Sequence, residues 1–205
     1  PSTSRYFGIT SSLEIYSMNQ KKKRCEWSLK DEHYIKYHDE KWGIPVHNDK
    51  VHFEYLALEA AQAGLSWYTI LIRMKGYTTA FADWDIDKIE KYDEAKIQEL
   101  LQFKGIIRNR RKIEAVIHNV KPFKAIQAEF GSFDDYIWAF VDGKPIMTCL
   151  EKLGDYPATT PLSDTISKDL KKWGFKFIGT TTIYAYMQAV GIVNDHMEGC
   201  WRNES

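Results

Sequence analysis

The chain has 205 residues, 44% of them apolar and 27% charged, and its 28 basic and 28 acidic side chains cancel to a formal net charge of zero. Such a chain can bury a core without disulfide staples, as one domain or as two small lobes. The composition excludes a polycationic nucleic-acid glue, and no apolar run approaches the roughly 20 residues of a membrane-spanning helix. Three cysteines, Cys25, Cys149 and Cys200, are too few and too odd for a disulfide framework, no segment has the layout of a secretory signal, and the expected compartment is the cytoplasm.

Residues 1–17 are rich in Ser and Thr, lack an amphipathic period and are set aside as an added or upstream extension. The remainder, 18–205, is expected to form a single all-α domain. Phe53, Leu56, Ala57 and Ala60 recur at helical spacing in 50–62. Ile97, Leu100 and Leu101 mark a short helix at 93–101, and Ile113, Val116, Ile117 and Val120 mark another from about 109. Ser163 and Asp164 read as caps for a helix carrying Ile166, Leu170 and Trp173. A last helix with Ile183, Tyr186, Met187 and Val190 stops at Gly191. Alternating strand patterns are absent. The Gly- and Pro-containing stretch 142–160 reads as a surface connection, and Cys149 as a small apolar filler.

Twelve residues separate Cys25 from His38, and three separate His196 from Cys200. The second pair falls on one face of a helix. Two thiolates and two imidazoles make a closed tetrahedral zinc set, structural because no position remains for water. Spacing alone is equally that of two buried cysteines and two unrelated histidines. A metal here would pin the two ends of the folded region together. His47, His52 and His118 lack such partners and read as ordinary polar side chains.

The stretch QELLQFKGIIRNRRKIEAVIHNV reads as helix, turn at Lys104–Gly105 and helix, a hairpin near 94–117. Gly105 can adopt backbone angles that other residues avoid. Arg108, Arg110, Arg111 and Lys112 crowd the start of the second helix, where free amides favour a phosphate. The plainer reading is a solvated charged face. KKWGFKFIGTT at 171–181 is a second stretch of this kind, with Gly179, Thr180 and Thr181 opening a helix behind two lysines.

In LEAAQAGLSWYTIL, Glu59 stands late in an otherwise apolar helix and shares a face with Tyr55 and Gln62. Gln62–Ala63–Gly64–Leu65 breaks that helix and Trp67 begins the next. A carboxylate beside an indole at such a corner suits a flat, cationic, hydrogen-bonding ring. Glu59 as a helix cap with core aromatics around it is the structural alternative. Trp27, Tyr34, Tyr37 and Trp42 cluster around the first Cys/His pair.

Taken in order, RCEW, YIKYHDEKWGIPV, LEAAQAGLSW, GIIRNRRKI, ISKDLKKWGFKFIGTTT and GIVNDHMEGC resemble the 3-methyladenine DNA glycosylase I family of the helix-hairpin-helix superfamily, over Arg24 to Cys200. The resemblance implies an all-α helix-hairpin-helix fold with two lobes around a base pocket. It implies a monofunctional, monomeric enzyme of base excision repair that hydrolyses the N-glycosidic bond of 3-methyladenine in double-stranded DNA. It implies one structural zinc on Cys25, His38, His196 and Cys200. Glu59 would hydrogen-bond the base, Trp67 would stack on it, and Tyr34, Tyr37, Trp27 and Trp42 would line the pocket. Gln62, Gly64 and Leu65 would fill the gap left by the extruded nucleotide, and Gly105, Arg108, Arg110 and Arg111 would meet the DNA backbone. Ala60 and Ala61 depart from the Gly-Gln more usual in this motif, and the family lacks the catalytic aspartate of its superfamily relatives. A non-catalytic, zinc-stabilised helical DNA-binding module is the alternative.

Overall fold

The structure, a computed structural model, describes residues 22–148 and 150–203. The expectations for residues 1–17 and for Cys149 lie outside the described residues. Ten α-helices and two short strands follow in order among them: α1 (Glu32–Glu40), α2 (Asp49–Gln62), α3 (Trp67–Leu71), α4 (Met74–Ala80), α5 (Ile86–Ile89), α6 (Glu94–Gln102), α7 (Arg110–Phe130), α8 (Phe133–Trp138), β1 (Ile146–Met147), α9 (Pro161–Trp173), α10 (Thr180–Ala189) and β2 (Val193–Asn194).

α2 is the central element. Asn48 caps it by accepting from the Val51 amide at 3.2 Å, and the helix is buried almost all round, including every residue from Tyr55 to Ala61. Helices with that pattern lie inside a fold rather than on its surface. This is why Glu59, on the last full turn, is carried into the interior.

α9 packs against α10, and α10 packs against α2; Thr180 Oγ1 at the start of α10 meets Ser163 Oγ at 2.9 Å and the Asp164 carboxylate, so the two helix starts lie together. The cap of α9 is Thr160, not Ser163 or Asp164. Thr160 and Ser163 exchange side-chain to backbone hydrogen bonds at 2.8 and 3.1 Å, with Pro161 at the first helical position. Proline there lacks only an amide that the helix leaves unused, so the start moves upstream of the apolar pattern. The turn between the helices is pinned from three sides. Ser167 donates to Ile178 O at 2.7 Å, His118 meets Gly174 O at 2.9 Å, and the Asn119 amide closes a two-way pair with the Lys176 backbone.

The stretch 142–160 does more than connect. β1 pairs in parallel with β2, matching Ile146 with Val193 and Met147 with Asn194, and Leu150 bridges Met197. Two-residue strands are too short to show an alternation in sequence. His52 is likewise not an ordinary surface side chain. It is fully buried, with Tyr186 OH 2.6 Å from Nδ1 and Asp134 Oδ1 2.9 Å from Nε2.

Candidate functional site

Cys25, His38, His196 and Cys200 converge although 175 positions of numbering separate the first from the last. All four are buried, and their ligand atoms lie within 4.8 Å of one another. Cys200 Sγ is 3.4 Å from His38 Nε2 and 3.6 Å from His196 Nδ1, and Cys25 Sγ is 3.6 Å from His196 Nδ1. Ligands on a tetrahedral Zn²⁺, with bonds of about 2.3 Å to sulfur and 2.0–2.1 Å to nitrogen, stand roughly 3.5 Å apart. The residues therefore fit a metal of that kind. The opposite ring nitrogens are already engaged: His38 Nδ1 pairs with Asp39 Oδ1 at 2.9 Å and His196 Nε2 with Trp42 O at 3.2 Å. These contacts select the tautomers that aim a lone pair inward. Asp39 is itself held by the Arg24 guanidinium. The Trp201 amide donates to Lys23 O at 3.0 Å, so both ends of the described chain meet at the cluster.

An aromatic wall separates the cluster from a cavity. Trp42 lies 4.6 Å from the His196 ring and Trp27 lies 5.5 Å from the His38 ring, centroid to centroid, and the two indoles meet edge to face at 4.9 Å. Behind them opens a cavity of about 380 Å³, lined by Trp27, Tyr34, Tyr37, Trp42, Glu59 and Trp67, and by Gln62 at the end of α2. That size falls within the roughly 300–1,000 Å³ of small-ligand pockets. Every pocket position expected from the sequence is in this one wall. The cavity has further walls that the sequence reading missed: Lys30, Ala185 and Gln188, and Leu153 and Tyr156 from the 142–160 stretch.

Glu59 is buried, and its carboxyl makes no hydrogen bond or ion pair with any described residue. It caps no helix. Desolvation pushes its pKa up to about 8. Burial also pushes the Tyr37 hydroxyl well above its ordinary range, with Tyr55 and Glu59 adding to the effect. Tyr37 and Trp67 rings lie 5.3 Å apart and tilted, and the buried Trp67 Nε1 has no hydrogen-bond partner. A carboxyl group without a protein partner, among faces of aromatic rings, is suited to a planar ligand with polar edges and positive charge.

The loop after α2 stands at the cavity rim. Gly64 takes φ +78, which turns the chain sharply, and Leu65 is 38% exposed beyond it. Lys112, at the start of α7, donates from Nζ to Ala61 O and Ala63 O, each at 2.7 Å. Those carbonyls belong to the end of α2, where helices leave acceptors unpaired. Ala60 and Ala61 are buried and do not line the cavity.

Two expectations for the 94–117 hairpin are revised. Gly105 is not at positive φ; a Cβ added to it would lie 2.5 Å from the Phe103 ring, and one added to Gly76 would lie 2.1 Å from Gly105 O. Close backbone approach, not an unusual angle, requires the glycine. Arg110 is spent on Glu94 and Glu114, with Nη1 2.9 Å from Glu114 Oε1. Arg108 and Arg111 are exposed. Arg111 stacks over Phe177 at 5.9 Å, which brings the start of α7 against the α9–α10 turn. The two basic stretches thus adjoin. α10 begins at Gly179 with no side-chain cap, and Lys171, Lys172 and Lys176 in the segment leading to it are exposed.

The family model for methyladenine glycosylases matches residues 27–203. DNA-3-methyladenine glycosylase 1 of Escherichia coli K12 is 44% identical over 177 residues, covering 86% of this chain and 95% of that protein. A crystal structure of a 3-methyladenine DNA glycosylase I superposes with a TM-score of 0.84 at 45% identity, covering 87% of this chain and 98% of the other. A Tyr-to-Phe variant of such an enzyme, solved in complex with 3-methyladenine, gives a TM-score of 0.84 at 34% identity, covering 88% of this chain and 97% of the other.

Proposed function

The chain belongs to the methyladenine glycosylase family, and from that premise we propose that it removes 3-methyladenine from alkylated double-stranded DNA by hydrolysing the N-glycosidic bond. The products are the free base and an abasic site, and the strand is left uncut. The observation that carries this reading is the partnerless carboxyl of Glu59 in one ring-sized cavity with Trp67.

A base within a duplex is out of reach, so the nucleotide must swing out, at a cost of a few kcal/mol. Methylation at N3 weakens pairing and leaves the base positively charged. Cleavage returns it as a neutral leaving group, so little acid catalysis is needed. The sugar develops oxocarbenium character and water attacks it. In this scheme Trp67 and Tyr37 receive the cationic ring, Tyr34, Trp27 and Trp42 complete the aromatic enclosure, and Glu59 bonds its edge and opposes its charge. Glu59 is a recognition group with an electrostatic role and is not assigned as a general base.

Leu65, with Gln62 and Gly64, is the wedge that fills the vacated stack. Lys112 holds that loop to α7. The backbone clamp is a helix-hairpin-helix in which the uncapped start of α10 offers its amides to a phosphate, with Lys171, Lys172 and Lys176 in the exposed segment leading to it. Arg108, Arg111 and the Gly105 turn extend the same surface. Zinc on Cys25, His38, His196 and Cys200 would close a structural site that ties the two chain ends behind the aromatic wall. Residues 18–205 act as a single monomeric domain in the cytoplasm. No helix among the described residues is long and apolar enough to cross a membrane.

The test is incubation with N-methylated duplex DNA and chromatography of the released bases. Release of 3-methyladenine is the expected result. Binding to undamaged duplex without base release would instead identify a non-catalytic DNA-binding module.

A further inference from the structure

Gln188, on α10, lines the same cavity as the α1 aromatics Tyr34 and Tyr37. Its amide is held in one orientation. Nε2 donates to Asp195 Oδ2 at 2.7 Å, and Asp195 is fully buried. Asp195 is fixed in turn by the Tyr184 hydroxyl and by Thr148 Oγ1, 2.8 Å from its Oδ1. The Gln188 backbone is anchored as well, its carbonyl accepting from Gly43 N at 3.0 Å. One N–H of Nε2 is engaged by Asp195, and Oε1 takes no hydrogen bond from any described residue. An amide oxygen accepts and cannot donate.

We propose that Gln188 is a specificity-determining residue, whose Oε1 accepts a hydrogen bond from the exocyclic amine of a 6-amino purine and thereby rejects a 6-oxo purine. The proposal rests on the glycosylase reading and assigns the selectivity of its pocket. Glu59 alone cannot make this distinction. A carboxyl that holds its proton can donate to a carbonyl as readily as a carboxylate accepts from an amine, and the burial of Glu59 favours the proton. Gln188 has no such freedom, because turning its amide over would set Oε1 against the Asp195 oxygens. A 6-oxo purine set against Oε1 would meet an acceptor that cannot become a donor. Sites that leave buried polar groups unpaired against the wrong ligand discriminate strongly.

The experiment measures binding of 3-methyladenine and 3-methylhypoxanthine by quenching of tryptophan fluorescence, in the full chain. The two bases differ at position 6 without the extra 2-amino group of a guanine. The wild type is expected to prefer 3-methyladenine by about tenfold or more, the value of one hydrogen bond of about 1.4 kcal/mol. Gln188→Met is expected to reduce that preference about tenfold. A merely structural role would weaken both ligands equally and leave the ratio unchanged, which overturns the proposal. Equal binding of the two bases by the wild type overturns it without any variant. Asp195→Asn, which releases the amide from its obligate acceptor, is expected to reduce the ratio in the same direction, and an unchanged ratio there also counts against the idea. Base release from methylated DNA by the wild type is measured alongside. Its absence defeats the glycosylase reading, whereas release with an unaltered ratio in Gln188→Met defeats only the role of Gln188.

Discussion

His38 Nδ1 and Asp39 Oδ1 lie 2.9 Å apart, and this contact between sequence neighbours points the other nitrogen of the imidazole at Cys200. A carboxylate behind a ligating histidine orients the ring and raises its basicity. Removing such a partner typically costs about 10- to 100-fold in metal affinity. Asp39→Ala is therefore expected to weaken zinc retention by that order in a chelator titration, while Cys200→Ala abolishes stoichiometric metal and lowers Tm. Stoichiometric zinc in purified Cys200→Ala would remove the metal assignment. The four residues of the cluster join segments far apart in the chain, so the loss should appear as fraying of both ends in hydrogen exchange, with α2 and α7 protected.

Lys112 offers a second test. Its Nζ reaches two carbonyls at the end of α2, immediately before Gly64 and Leu65. Lys112→Met keeps the aliphatic stem and removes the donors. The carbonyls of buried Ala61 and exposed Ala63 then lose their donor, at about 1–2 kcal/mol. A misplaced wedge slows the extrusion step, so kcat/KM for base release from duplex is expected to fall about tenfold. Affinity for free 3-methyladenine should be unchanged, because the pocket walls are not touched. Equal losses on duplex and free base would show that Lys112 supports the pocket itself.

These sites were legible in the sequence to different degrees, for physical reasons. The four positions that could hold a metal stand out because thiols and imidazoles are scarce, and because His196 and Cys200 keep helical spacing even though the segment that holds them is a turn. Glu59 stands out as a charge inside an apolar helix. Gln188 carries the same signal, a polar side chain after Tyr186 and Met187 and before Ala189, and could have been found by it. Asp39 was visible as a carboxylate next to a candidate ligand, His38. Tyr156 and Leu153 were not visible, since a loop imposes no periodicity and their approach to the cavity depends on the pairing of β1 with β2. The Gly76–Gly105 contact was hidden because it joins two elements that neither spacing nor composition connects.

The basic surface can be divided by salt dependence. Arg110 is paired with Glu94 and Glu114, and the hydrogen bond from Arg110 holds the Glu94 carboxyl well down, near pKa 2. Lys172 and Lys176 are exposed in the segment that leads into α10. Each phosphate contact contributes about 0.9 to the slope of log K against log salt on duplex DNA. Arg110→Ala is expected to leave that slope nearly unchanged. The double change Lys172→Ala and Lys176→Ala is expected to lower it by about one to two and to weaken binding irrespective of sequence. The opposite ranking would move the clamp to the α6–α7 hairpin.

The buried carboxyl of Glu59 links pH to both stability and recognition. Burial raises its pKa from the ordinary 4.5 to about 8 in the folded chain. Between those values the folded state binds a proton that the unfolded state has lost, so stability contributed by the protonated group is full below about 4.5 and declines as pH rises through 8. Glu59→Gln removes this dependence. Its Tm is expected to match the wild type near pH 5 and to exceed it at pH 8–9, at about 2–4 °C per kcal/mol for a chain of this length. Recognition runs the other way. A cationic base favours the ionised carboxylate, so wild-type kcat/KM on methylated DNA is expected to climb towards pH 8 with a single-proton slope. The Glu59→Gln profile should be low and flat over the same range. A variant that gains stability at high pH yet excises 3-methyladenine at the wild-type rate would show that the carboxyl is buried in the pocket without reading the base, and the recognition role would pass to the aromatic rings alone.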